Sequence, residues 1–463
     1  MRGVAVVVTA LAGALALAAN AGALVGHARA QEAAARAPAA AVVHRARVRS
    51  SERAVPDYDG RAEPSTTAGE VLLWIPRVVF APLYLVTEYL LRRPLGWLAT
   101  AAERADLPAL IIDFVSPDGP RTAGVVPSVL FDYGLLPSVG LYIFWDDVGV
   151  RGHDLRARVA TWGIDSLTVA LADRVRLSQR SRMTLKADFS RRSDWLFFGL
   201  GPDASPDDLS RYSSRSFDLG LSFDAEPWRS SSVRWYAGWR DAAFESDVCC
   251  SDRAVGEVHS PLPPGLADGY SVWLQRMTLA LDTRGTIGAA SGVRVELRGE
   301  QGFELSDPAR RRWIKYGGLV GAFLDLGRRV VGLSLSAHFA EPLSGSELVP
   351  FTEQVTLGGA ELMRGFLPGR LVDTSAIAVT LEYRWPVWVW LDGLLQISVG
   401  NVLPGHLDGL SLDRMRLSAT LGVRSASRTD HSFDFLIGIG TEPFDGGFEL
   451  SSFRLLIGTK DGF

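Results

Sequence analysis

From about residue 122 onward the chain alternates apolar and polar side chains with a period of two. In "MRLSATLGVR", Met415, Leu417, Ala419, Leu421 and Val423 fall on one face, and Arg416, Ser418, Thr420, Gly422 and Arg424 on the other. "GVRVELR" sets Val293, Val295 and Leu297 opposite Arg294, Glu296 and Arg298, and "AIAVTLEYRW" follows the same rule. Alternation of this kind marks half-buried strands. Their length narrows the architecture. The segments run to about 10–14 residues, against about 5–6 in soluble proteins, and a tilted strand crosses a bilayer in about 9–11. In lipid only a closed barrel satisfies every backbone group of such strands.

The pattern divides into sixteen strands, the first near 122–134 and the last near 451–463. The long connections, 193–213, 245–269, 342–373, 403–413 and 442–450, all follow odd-numbered strands. Turns after even strands are short, as in "SQRS" and "DLGRR". Long loops outside and short turns in the periplasm are the asymmetry of bacterial outer-membrane barrels. The predicted fold is therefore all-β: a 16-stranded antiparallel transmembrane barrel over 120–463.

The N-terminal part reads differently. Met1-Arg2, an apolar run from Val4 to Gly26 and the step Ala28-Arg29-Ala30 predict a signal peptide over 1–30, with an uncleaved anchor as the competing reading. Residues 31–68, rich in Ala, Arg, Pro, Ser and Glu, predict a disordered periplasmic linker. Residues 69–106 are apolar, but Pro76, Pro82 and Pro94 interrupt any single span. They predict short amphipathic helices at a membrane surface, anchored by Trp74, Arg77, Tyr89, Arg92, Arg93 and Trp97. A transmembrane helix and a helix plugging the barrel lumen are the alternatives.

Composition agrees with a barrel: 47 Gly and 13 Trp in 463 residues suit many turns and interfacial aromatics. The net charge of -4 comes with no basic patch, which argues against nucleic acid. Cys249 and Cys250 are adjacent, so no disulfide framework follows; a vicinal disulfide and two thiols are both open. The seven histidines show no metal-ligand spacing, and no cofactor or enzyme motif is found. The last strand puts Phe453, Leu455, Ile457 and Phe463 on one face.

One loop carries unusual chemistry. "TLGGAELMRGFLPGR", residues 356–370, places Arg364, Gly365 and Phe366 after the pair Gly358-Gly359. "LGGAELMRGF", followed by "TLEYRWPV", "LLQISVGNV" and a C-terminal Phe, resembles the surface-antigen barrel of the BamA/TamA superfamily and its secretion relatives such as FhaC. "FFGLGPDASPDDLSRYS", residues 197–213, resembles a further segment of these barrels. The resemblance implies that loop 342–373 folds into the lumen and that its Arg-Gly-aromatic tip is held by acidic wall residues. Alternation puts Glu382 and Arg384 on the inner face of the twelfth strand, and Gln396, Ser398 and Gly400 on that of the thirteenth. Where the family usually carries Phe-x-Asp-x-Gly, this chain has Gln396-Ile397-Ser398-Val399-Gly400, so the expected pair is Arg364–Glu382. A solvated Arg364 in a wet lumen is the alternative.

The resemblance also implies a role in inserting or translocating β-rich polypeptides at the outer membrane. The partners would be outer-membrane lipid, client barrel polypeptides and the assembly machinery, and the last strand would act as an insertion signal. No POTRA module fits the residues before the barrel, so a POTRA-less short member is expected. A loop-plugged pore or lipid-handling barrel is the other function. A weak junction between first and last strands would favour the first reading, and Pro127 in strand one lacks the amide that pairing needs.

Overall fold

In the computed structural model the described residues are Tyr89, Trp97, 122–245, 248–285, 291–327, 329–343, 348–360, 362–388, 391–425 and 431–461. The signal, the linker and the anchors Trp74, Arg77, Arg92 and Arg93 lie outside them, as does Phe463. Tyr89 and Trp97 are exposed.

Sixteen strands close into one antiparallel barrel. The first half runs β1 (Ala123–Asp132), β2 (Ser138–Trp145), β3 (His153–Thr161), β4 (Ser166–Ser178), β5 (Ser181–Phe197), β6 (Ser210–Ala225), β7 (Ser232–Glu245) and β8 (Tyr270–Asp282). The second runs β9 (Gly292–Glu304), β10 (Arg312–Asp325), β11 (Val330–Pro342), β14 (Ser375–Trp388), β15 (Leu391–Leu403), β16 (Arg416–Ser425), β17 (His431–Thr441) and β18 (Leu450–Asp461). Each strand pairs with its neighbour in sequence, except that β11 pairs with β14 across the intervening loop and β1 closes the barrel on β18. That loop holds its own hairpin, β12 (Val355–Leu357) with β13 (Leu371–Asp373).

The alternation acts as the sequence requires. Leu333, Val379, Leu381, Phe453 and Ile457 are exposed on the outer face. Their chain neighbours Thr380, Ser452 and Arg454 are buried on the inner one. The inner wall is not uniformly polar. Where the loop enters the lumen, Val272, Leu274, Trp313, Ala376, Ala378 and Val402 form one apolar cluster with Met363, Phe366 and Leu371 of the loop. The barrel thus has a core that its wall and its own loop build together.

Two features depart from the sequence reading. β5 and β6 continue into the segment expected as the loop 193–213, because Trp195, Leu196 and Phe197 pair with Tyr212, Arg211 and Ser210. The register shifts between Arg192 and Trp195, which breaks the period of two that makes a strand legible. The bulge turns Asp194 inward, where it accepts from Leu136 N at 2.7 Å and Arg192 Nε at 2.8 Å. The second departure is the β12–β13 hairpin, too short for alternation to reveal. Cys249 and Cys250 are bonded to each other.

Candidate functional site: the lumen loop and the strand seam

The loop tip is built for close approach. Gly358 and Gly359 take φ values of 97° and 68°, and Met363 adopts 51°. This turn is closed by Gly358 N to Leu362 O at 2.8 Å and Gly359 N to Phe366 O at 3.0 Å. Gly365 N then donates to Ser418 Oγ on β16 at 2.9 Å, and Ser452 Oγ on β18 donates to Gly365 O at 3.0 Å. A Cβ at Gly365 would stand 2.0 Å from Ile439 O of β17, and one at Gly440 would stand 2.5 Å from the Phe366 ring. Glycines on both partners therefore let backbone meet backbone. Phe366 is fully buried in the resulting seat, worth about 1.5–3 kcal/mol of apolar burial.

Arg364 enters the wall but not at the expected residue. Its Nη2 donates to Asp434 Oδ2 on β17 at 3.1 Å. Burial pushes the Arg364 guanidinium below the ordinary arginine range, and Asp434 opposes that shift. The expected partner Glu382 faces the lumen but is taken by Arg384 and by Gln396 Nε2 at 2.6 Å. Ser398 is likewise on the inner wall, bonded to Thr380 Oγ1 at 2.9 Å. Gly400 packs against β14, where a Cβ would stand 2.3 Å from Ile377 O. The pairing differs because the glycine seat for Gly365 and Phe366 is on β17, which carries the guanidinium past β14 and β15. Strand parity gives the face a side chain takes; it does not give the azimuth of a loop tip.

Two further anchors were not read from sequence. Arg370 and Arg416, both buried, share Glu442 at 2.9 and 2.7 Å. Arg416 Nη2 also donates to Pro202 O at 2.9 Å and Ala204 O at 3.1 Å, so the β5–β6 loop is drawn into the same cluster. Burial and the neighbouring Arg416 push the Arg370 guanidinium down to about 10. At the other end of the loop Glu353 accepts from Arg240 Nη1 at 2.6 Å, Tyr270 OH at 2.8 Å and Lys315 Nζ at 3.0 Å. Burial alone would raise the Glu353 carboxyl, but Lys315 and Arg240 outweigh it and hold it far below the ordinary range. The loop thus spans the lumen from the β7–β10 wall to the β16–β18 wall. The signal for Glu353 was a lone carboxylate in an apolar stretch, "LVPFTEQV".

The barrel closes through β1 and β18. Among the described residues three pairs are in register there: Leu130 with Gly458, Phe131 with Ile457, and Asp132 with Leu456. Tyr133 N to Leu455 O at 2.9 Å adds one bond beyond them. By contrast β1 and β2 register over eight residues, and β17 and β18 over eleven. On the inner side Arg454 forms a bidentate pair with Asp132, Nε to Oδ1 at 2.8 Å and Nη2 to Oδ2 at 2.7 Å. Its Nη1 donates to the carbonyls of Gly359 and Arg364. Among the described residues no group of three or more His, Cys, Asp or Glu could hold a metal ion.

A closed sixteen-stranded barrel with a loop seated across its lumen defines an outer-membrane type of β-barrel. Its fold is that of BamA. The crystal structure of BamA from Haemophilus ducreyi lacking POTRA domains 1–3 matches with a TM-score of 0.50 at 13% identity, over 73% of this chain and 70% of that one. CdiB from Acinetobacter baumannii matches with a TM-score of 0.45 at 12% identity, over 72% and 58%. CdiB from Escherichia coli matches with a TM-score of 0.45 at 12% identity, over 72% and 62%. No family model and no curated protein matches the sequence.

Proposed function

We propose that this chain assists the insertion or translocation of polypeptides at the outer membrane, by pairing an incoming strand with the edges of the β1–β18 seam. The observation that carries this reading is the short junction. Among the described residues three register pairs hold β1 to β18, and Pro127, further along β1, has no amide to extend them. Edge backbone groups freed there are a template for strand addition. In this reading the N terminus is periplasmic and the loops after odd barrel strands face outward. Residues 1–30 direct export, 31–68 form a linker, and 69–106 lie along the membrane with Trp74, Arg77 and Trp97 among their anchors. The C-terminal strand with Phe453, Leu455, Ile457 and Phe463 acts as the chain's own insertion signal. Its partners are outer-membrane lipid, client barrel polypeptides and the assembly machinery.

A second reading is a loop-plugged pore or lipid-handling barrel without assembly activity. The anchoring of the loop at both walls favours it. Depletion of the protein followed by quantitation of other outer-membrane proteins separates the two. Several barrels should fall in abundance under the first reading. Unchanged levels leave the plugged barrel.

A further inference from the structure

The polar chemistry of the seam is lopsided. Asp132 is buried on the inner side of β1, and among the described residues its carboxylate has Arg454 as its one side-chain partner. Arg454 is better served. Besides Asp132 it donates to two loop carbonyls, Gly359 O and Arg364 O, and these belong to a loop held elsewhere by Glu353, Arg364 and Arg370. When β18 leaves β1, Arg454 keeps two acceptors and Asp132 keeps none. A buried carboxylate without a cation is the costly half of a broken pair.

From this we propose that Asp132 is a specificity-determining residue. A strand that replaces β18 on β1 must bring a guanidinium or ammonium at the inward-facing position that Arg454 now occupies. The inference rests on the strand-pairing reading above and names the substrate class within it. A fitting strand presents apolar side chains outward, as Phe453, Leu455 and Ile457 do, and one cation inward between them. A strand with a neutral or acidic residue there leaves Asp132 uncompensated and pairs weakly. Because Asp132 and Leu456 are in register and Arg454 lies two residues further along β18, the cation also fixes the register of the incoming strand.

The test uses the full chain in lipid vesicles with Cys249→Ser, Cys250→Ser and Phe131→Cys. The probes are synthetic peptides of residues 450–463 carrying Ile457→Cys, whose partner in register is Phe131. Disulfide capture is compared for the native sequence, for Arg454→Gln and for Arg454→Asp. The native peptide should be captured about tenfold more than the Arg454→Gln peptide, as loss of one partner of a buried pair implies. That preference should vanish on an Asp132→Asn barrel, and on an Asp132→Arg barrel it should invert in favour of the Arg454→Asp peptide. Equal capture of the native and Arg454→Gln peptides, or a preference that survives Asp132→Asn, overturns the assignment of Asp132 while leaving strand pairing intact. Capture of no peptide by any barrel, including the Asp132→Asn and Asp132→Arg barrels whose seam ion pair is broken, overturns the strand-pairing reading and this proposal with it.

Discussion

Asp434 and Glu382 both face the lumen, yet only Asp434 receives Arg364. The difference can be measured. Asp434→Asn should free the loop tip and cost about 3 kcal/mol, because it leaves a buried guanidinium unanswered. Glu382→Gln should leave the tip in place, since it disturbs only the contacts to Arg384 and Gln396. Limited proteolysis across residues 359–370 reports both outcomes, and equal sensitivity of the two variants would contradict the assignment. Gly440→Val tests the seat itself. Its branched side chain would enter the space of the Phe366 ring, so the tip should undock although every charged group remains. An acidic partner for Arg364 was expected from the resemblance of its loop, and a buried guanidinium favours one. Which acid it takes was not. Both candidate strands obey the same alternation, and the choice depends on glycines at 438 and 440 on a strand far along the chain.

At the scale of elements, the loop between β11 and β14 is a strut. Glu353 fixes one end to β7, β8 and β10, and Arg364 and Arg370 fix the other. The two ends should be separable. Glu353→Gln should raise hydrogen exchange in residues 348–357 by about tenfold while residues 363–366 stay protected. Acid should do little over the ordinary range. The Glu353 pKa is lowered from 4.5, so its stabilising contribution is full above that value and is lost only as pH falls through the depressed one. Protease sensitivity of the loop should therefore be the same at about pH 7 and about pH 5. The strands themselves were readable from their alternation, apart from the ends of β5 and β6 that enter the 193–213 segment. β5 was cut short in that reading because its bulge at 192–195 interrupts the alternation. The hairpin of β12 and β13 has three residues a side, too few to carry a period.

For the whole molecule, the loop and the seam share one residue. Arg454 bonds to the tip carbonyls and to Asp132. Removal of residues 348–370 should therefore both open a conducting path through the lumen and weaken the β1–β18 junction. Planar-bilayer conductance and cross-linking between Phe131→Cys and Ile457→Cys read the two effects in one variant. A rise in conductance with unchanged cross-linking would mean that the loop is a plug alone. Pro127 hinted at the seam; the three pairs among the described residues depend on where two strands at opposite ends of the sequence meet, which local patterning does not contain.

The β5–β6 loop has a consequence for how the barrel matures. Its carbonyls at Pro202 and Ala204 accept from Arg416 and Arg370, which lie 214, 212 and 166 residues downstream in their respective bonds. Contacts of such long sequence separation slow folding, because the chain between them must be brought together first. In refolding into lipid, protease resistance of the interior should therefore lag behind the gain of strand structure.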